Sequence, residues 1–284
     1  MPDVFYSALF AVGFPVYKAL HTERAYGRTV RHLENARNYT SKINTNGTSA
    51  SLSVLKARDV FKGIFWNALD SYRGLARFKS VERCIVFENE EIIREAAKLG
   101  PVAVISIHQG AFELLHRGLC RYSEHVHLIT DSVGDEAFRD VLKGLRSDPH
   151  LTEYHPEETG RLIRDLFKTR GILAMVVDQG RHTKGNEVEL FGQPSTLYLR
   201  LPQKVNRMGA SIVTFRTWTE YAGHSTSARQ KRIVIRFEKY YPPHYESAGH
   251  SLTAEIAREI ETWIKENPSQ WSWNYHGNFN QARI

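Results

Sequence analysis

Pro101-Val-Ala-Val-Ile-Ser-Ile-His108-Gln-Gly-Ala-Phe-Glu113 is the stretch from which the rest of the chain is read. Val102 to Ile107 is an apolar, largely β-branched run of strand length without alternation, the pattern of a strand buried on both faces of a parallel or mixed sheet. His108 then stands at that strand's carboxyl edge. Gln109-Gly110 supplies a tight turn, and Ala111 to Arg121 has helical spacing, so Glu113 falls in the first turn of the next helix. In open α/β sheets ligands bind beyond the carboxyl ends of the strands, so the imidazole and the carboxylate are expected at a site.

On one continuous helix, five positions would turn through about 500° and separate the two side chains. The turn at Gly110 lifts that restriction. Glu113 can then fix the tautomer of His108 and favour its imidazolium, which makes His108 a candidate general base. The alternative is a strand-end histidine bonded to backbone, with Glu113 only favouring a helix N-terminus.

HQGAFE resembles block I of the glycerolipid-type acyltransferases, and landmarks downstream narrow the likeness. Val177-Asp178-Gln179 followed by Lys184-Gly185, then Leu190-Phe191-Gly192-Gln-Pro194, Met208-Gly209-Ala210, and Glu266-Asn267-Pro268-Ser-Gln270-Trp271-Ser-Trp273 are similar to the successive motifs of the bacterial lipid A biosynthesis acyltransferases. The resemblance spans about residue 100 to the end. It implies transfer of a fatty acyl chain from an acyl carrier protein or coenzyme A thioester to a hydroxyl of a membrane lipid or glycolipid. It also implies a peripheral or shallowly anchored place on the cytoplasmic face of the inner membrane. No metal and no organic cofactor is expected.

The same resemblance suggests roles for further residues. Arg146 falls where the family carries an arginine for the acceptor's negative charge, although the family's nearby glycine is missing. Asp178, at the end of the strand Ile172 to Val177, is expected to point into the crevice of His108 with Gln179 beside it; Gly180 stands where the family has a second acidic residue. Glu187 and Glu189 resemble a mannolipid-branch variant in which a glutamate assists the histidine, and alternation puts both on one face of a short strand. Phe191 and Gly192 are expected to shape the wall of an acyl tunnel. After the Trp-x-Trp motif His276 is followed by Gly277, Asn278, Phe279 and Asn280 rather than by the family's cations, which weakens the case for a phosphorylated disaccharide acceptor. The alternatives are a related acyltransferase acting on a lysophospholipid, an amino-acid lipid or a mannolipid, and a non-catalytic basic protein that binds anionic membrane surfaces.

Composition bounds these readings. A chain of 284 residues buries one good core, and 42% hydrophobic residues argue against disorder. The net charge of +7 favours anionic partners: an anionic membrane surface or an acidic carrier, with no motif pointing to nucleic acid. Cys84 and Cys120 form neither a metal spacing nor a disulfide framework and read as small buried hydrophobes.

The fold expected is α/β, a mixed and mostly parallel central sheet flanked by helices on both faces, with an N-terminal helical portion over 1–80 and an acyltransferase α/β region over 81–284. Val4 to Tyr17 is apolar but too short to span a bilayer, so it reads either as an interfacial helix or as a helix packed on the core. Residues 38–53 read as a polar loop, and Val54 to Phe78 as a helix. Strands are expected at 83–87, 125–130, 172–177, 188–191, 210–217 and 232–239. Helices are expected at 90–99, 136–145, 157–169, 195–207 and 253–266.

Overall fold

A computed structural model describes residues 3–21, 26–43, 50–130, 136–179, 184–222 and 230–273. Five helices precede the first strand: α1 (Asp3–His21), α2 (Gly27–Ile43), α3 (Ala50–Val54), α4 (Ala57–Ala76) and α5 (Phe78–Val81). Strands and helices then alternate as β1 (Ile85–Glu88), α6 (Glu90–Leu99), β2 (Val102–Ser106), α7 (Leu115–Leu119), β3 (Val126–Ile129), α8 (Glu136–Arg146), β4 (Leu151–Tyr154), α9 (Thr159–Thr169) and β5 (Ile172–Val176). After β6 (Asn186–Leu190), β7 (Gln193–Leu197) and α10 (Arg200–Arg207), the chain closes with β8 (Ser211–Ala222), β9 (Gln230–Tyr241) and α11 (Leu252–Glu266).

Seven strands form one sheet in the order β1-β9-β8-β2-β5-β3-β4. All neighbours are parallel except β8 and β9, so the expected mixed, mostly parallel α/β architecture is present. The unbroken apolar run has its cause in the packing. Ala103, Ile105, Leu173 and Met175 meet Leu162 of α9, Val205 of α10 and Ile260 of α11 on one face. Val102, Val104, Ile172 and Ala174 meet Ile93 of α6 and Leu115 and Leu119 of α7 on the other. Fully burying one such side chain contributes roughly 1.5–3 kcal/mol. That exceeds the whole spread of intrinsic strand preference, about 1 kcal/mol, so two-sided burial decides the strand.

Helix α4 crosses the edge of this sheet. Its Ala57 and Val60 join one core and its Leu75 the other. Between them, a Cβ on Gly63 would run into the Ser269 carbonyl and one on Gly74 into the Leu114 side chain. Glycine at both positions lets the helix lie close over the segments next to His108.

Helix α1 has two different faces. Phe10 and Phe14 pack on α4, with ring centroids 5.5 Å from Phe65 and 5.9 Å from Phe61 respectively. Leu9, Val12 and Val16 on the other face are 52%, 74% and 60% exposed. Core packing and an apolar outer surface therefore coexist on one helix. No helix among the described residues is long and apolar enough to cross a membrane.

Four segments differ from expectation. Residues 38–43 complete α2 and 50–53 begin α3 instead of forming one polar loop; Thr40 is buried with its hydroxyl donating to the Ala36 carbonyl one turn back, and Leu52 is buried in the core. The helix expected over 195–207 begins only at Arg200; Gln193–Leu197 is β7, paired antiparallel with β6. Leu151–Tyr154 forms the edge strand β4, for which no strand was expected. The region after Gly110 begins as a 3-10 turn over Phe112–Leu114 before α7.

Candidate active site

Strands β2 and β5 are adjacent and parallel, with Ser106 opposite Val176. Two residues further on, the same register brings His108 and Asp178 together at the carboxyl edge. The ring nitrogen Nδ1 of His108 lies 2.7 Å from Oδ1 of Asp178, and the His108 backbone N–H donates to Oδ2 at 3.0 Å. Oδ2 also accepts the indole N–H of Trp271 at 3.0 Å. Asp178 is 1% exposed in its side chain, against 13% for His108. Phe112 closes one side of the imidazole, edge-on at 4.6 Å between centroids.

Electrostatics follow from that burial. Desolvation, the largest effect, favours the neutral ring, but the charge and hydrogen bond of Asp178, with the more distant charge of Glu113, outweigh it and raise the His108 pKa above 6.5. A carboxylate on Nδ1 fixes a proton there in the neutral ring and directs the basic lone pair to Nε2.

Glu113, expected from the sequence to meet the imidazole, has its hydrogen bonds with a different partner. It pairs in a fork with Arg146, the last residue of α8, at 2.9 Å to Nε and 2.7 Å to Nη2. Arg146 also has Glu153 of β4 3.9 Å away. The guanidinium and Glu113 are 14% and 15% exposed, so this is a mostly buried ion pair. Arg146, expected to receive an acceptor's negative charge, thus has a protein carboxylate in its fork. Next to it, His116 is pushed down to about 3 by burial first and by the Arg146 and Arg117 charges second, so that ring stays neutral.

The tight turn expected after His108 is present. Gly110 has φ +59 and a Cβ there would meet the Thr217 carbonyl, so glycine is required. Its N–H donates to the Gln270 carbonyl at 3.1 Å, and the Gln109 N–H donates to the Ile107 carbonyl at 2.7 Å.

The other candidate residues scatter. Gln179 is half-buried beside Asp178. Glu187 and Glu189 do share one face of β6, but both are exposed, and Glu189 acts on Tyr39, whose pKa is raised by burial first and by Glu261 and Glu189 next. Among the described contacts neither reaches His108. Phe191 is fully buried and stacks near Trp273 at 5.7 Å, and Trp273 meets Trp271 at 4.8 Å. Phe191 therefore reaches the histidine through two tryptophans. A Cβ on Gly192 would strike the Tyr39 ring. Gly180 and residues 276–280 lie outside the described residues.

Sequence reading quoted Trp271 as a landmark without giving it a role; its bond to Asp178 is the feature it missed. Cys120 is half-buried, and its thiol is pushed up to about 12 by burial and then by Asp148, which leaves no thiolate for covalent chemistry. No group of three His, Cys, Asp or Glu side chains among the described residues could hold a metal ion.

A buried carboxylate–imidazole pair at the lip of a parallel sheet can accept a proton from a hydroxyl. No curated protein matches the chain. The family described as bacterial lipid A biosynthesis acyltransferase matches residues 72–277, which include both members of that pair, and the chain belongs to this family of acyltransferases.

Proposed function

We propose that the chain moves a fatty acyl group from a thioester donor, acyl carrier protein or coenzyme A, to a hydroxyl of a membrane lipid or glycolipid, with His108 as general base. The observation that carries this reading is the 2.7 Å contact between Nδ1 of His108 and Asp178. Nε2 takes the proton of the acceptor hydroxyl, the oxygen attacks the thioester carbonyl, and the carbon–sulfur bond breaks. The imidazolium returns its proton to the leaving thiolate, so no acyl-enzyme is required. Asp178 orients the ring and supports its positive charge. Glu113 adds negative potential while fixing the end of α8 through Arg146.

The commitment of Arg146 to Glu113 favours an acceptor that needs no arginine at that place, such as a lysophospholipid, an amino-acid lipid or a mannolipid. The exposed apolar stripe of α1, which packs on the helix α4 that lies against the segments next to His108, supports a peripheral position at a membrane surface. Lipid mass spectrometry on cells carrying the wild type or His108→Ala tests the whole reading. We expect one lipid species to lose a single fatty acyl chain in the variant while the purified variant melts as the wild type does. An unchanged lipid profile rejects His108 as the base.

A further inference from the structure

Building on the reading of His108 as the base, we propose that Trp271 is a positioning residue for the pair: its indole N–H holds the Asp178 carboxylate so that Oδ1 stays on the imidazole. Oδ2 of Asp178 takes two donors, the Trp271 indole at 3.0 Å and the His108 amide at 3.0 Å. Oδ1 faces Nδ1 at 2.7 Å. With one oxygen gripped from two directions, rotation of the carboxyl group about its Cβ–Cγ bond is blocked. Bonds to an ionised acceptor are the strong ones, so this grip is a firm one.

The indole is itself fixed by the turn it serves. Residues 270–272 run antiparallel beside 108–110: Gly110 donates to Gln270 at 3.1 Å, Ser272 donates to His108 at 3.2 Å, and Gln109 bridges Trp271. From β8, Thr219 exchanges two 2.8 Å bonds with the Gln270 side chain. From α4, Asn67 donates to the Gln270 carbonyl at 2.7 Å. Packing of the fully buried ring would be met by any aromatic side chain, whereas the N–H aimed at Asp178 is met only by tryptophan. The charged groups facing the His108 ring are Asp178 from the end of β5 and Glu113 from the 3-10 turn, with Arg146 of α8 behind Glu113.

The test uses the full chain with Trp271→Phe and, as a shape-preserving variant, benzothienylalanine at 271, which replaces the N–H by sulfur. Partners behind a reacting group alter rates by about ten- to a hundredfold. We expect kcat to fall by that amount with KM changed less than about twofold, and the double variant Trp271→Phe with Asp178→Asn to be no slower than Asp178→Asn alone. A purely structural tryptophan would make the two losses multiply. An NMR titration of the His108 ring needs no substrate. It should move to lower pH in Trp271→Phe and in the benzothienyl variant, in the same direction as in Asp178→Asn. An unmoved titration, or multiplying losses, overturns the proposal. If instead His108→Ala keeps its activity, the base reading falls while the titration still judges the hold of Trp271 on Asp178.

Discussion

His108 has one carboxylate five residues along the chain and another seventy residues away, and the distant one is its partner. Parallel neighbouring strands hold their edge residues in register, while a turn followed by a 3-10 segment swings Glu113 toward α8. The histidine and its edge position were legible in HQGAFE. The exchange of partners was not, because a fork between Glu113 and Arg146 depends on where α8 ends in space. At this scale Asp178→Asn should lower kcat by about 10²–10⁴-fold, by loss of the tautomer and of imidazolium support, and by more than Glu113→Gln, in steady-state assays of acyl transfer. As the proposed base, His108 would work as the neutral ring, and its pKa is raised, so kcat/KM should be lost as pH falls through a value above 6.5. The stability linked to the same group runs the other way. It is fully present below the unfolded value of about 6.5 and is lost as pH rises through the folded one. Replacing Arg146 by Met leaves Glu113 mostly buried without its fork and beside Glu153, and should destabilise the protein by about 3 kcal/mol in denaturant melts.

Between elements, the β6–β7 hairpin shows why some of the architecture stayed hidden. Its two-residue turn, Phe191 and Gly192, has φ of +52 and +65, the conformation that matches the twist of paired strands. Phenylalanine adopts it against its own preference because its amide donates to Glu261 at 2.8 Å and its ring is buried beside Trp273. Those are long-range partners that no local pattern announces. Pro194 further disguised β7, since proline suits only an edge, and there it is exposed. Long strands such as β8 and β9, and α6, whose limits match its caps, were readable because burial and periodicity agree along many residues. Gly192→Ala adds a Cβ against the Tyr39 ring at a positive φ, so it should destabilise by about 1–3 kcal/mol. Thermal melts check the size. Because the ring of Phe191 stands two tryptophans away from Asp178 along Trp273 and Trp271, kcat of the folded variant should fall less than in Trp271→Phe.

The whole molecule presents a net charge of +7 together with one apolar stripe that nothing in the chain covers among the described residues. Leu9, Val12 and Val16 stand at helical spacing opposite the Phe10 and Phe14 face that fixes α1 to α4, and α4 in turn lies over the turns beside His108. Seating the stripe in a lipid interface would bring the site's edge toward its acceptor, with positive charge drawing the protein to anionic headgroups. Burying the exposed parts of the three side chains contributes roughly 3–5 kcal/mol, about two to nearly four orders of magnitude in partition. Attraction between exposed charges is largely screened at high salt, where the Debye length is about 3 Å at 1 M. A variant with Leu9, Val12 and Val16 all changed to Gln should therefore lose that factor in flotation with anionic vesicles and keep its melting temperature, because the packed face is untouched. High salt should weaken wild-type binding without abolishing it. Flotation of the triple variant equal to wild type, at matched lipid and salt, would refute a membrane role for α1.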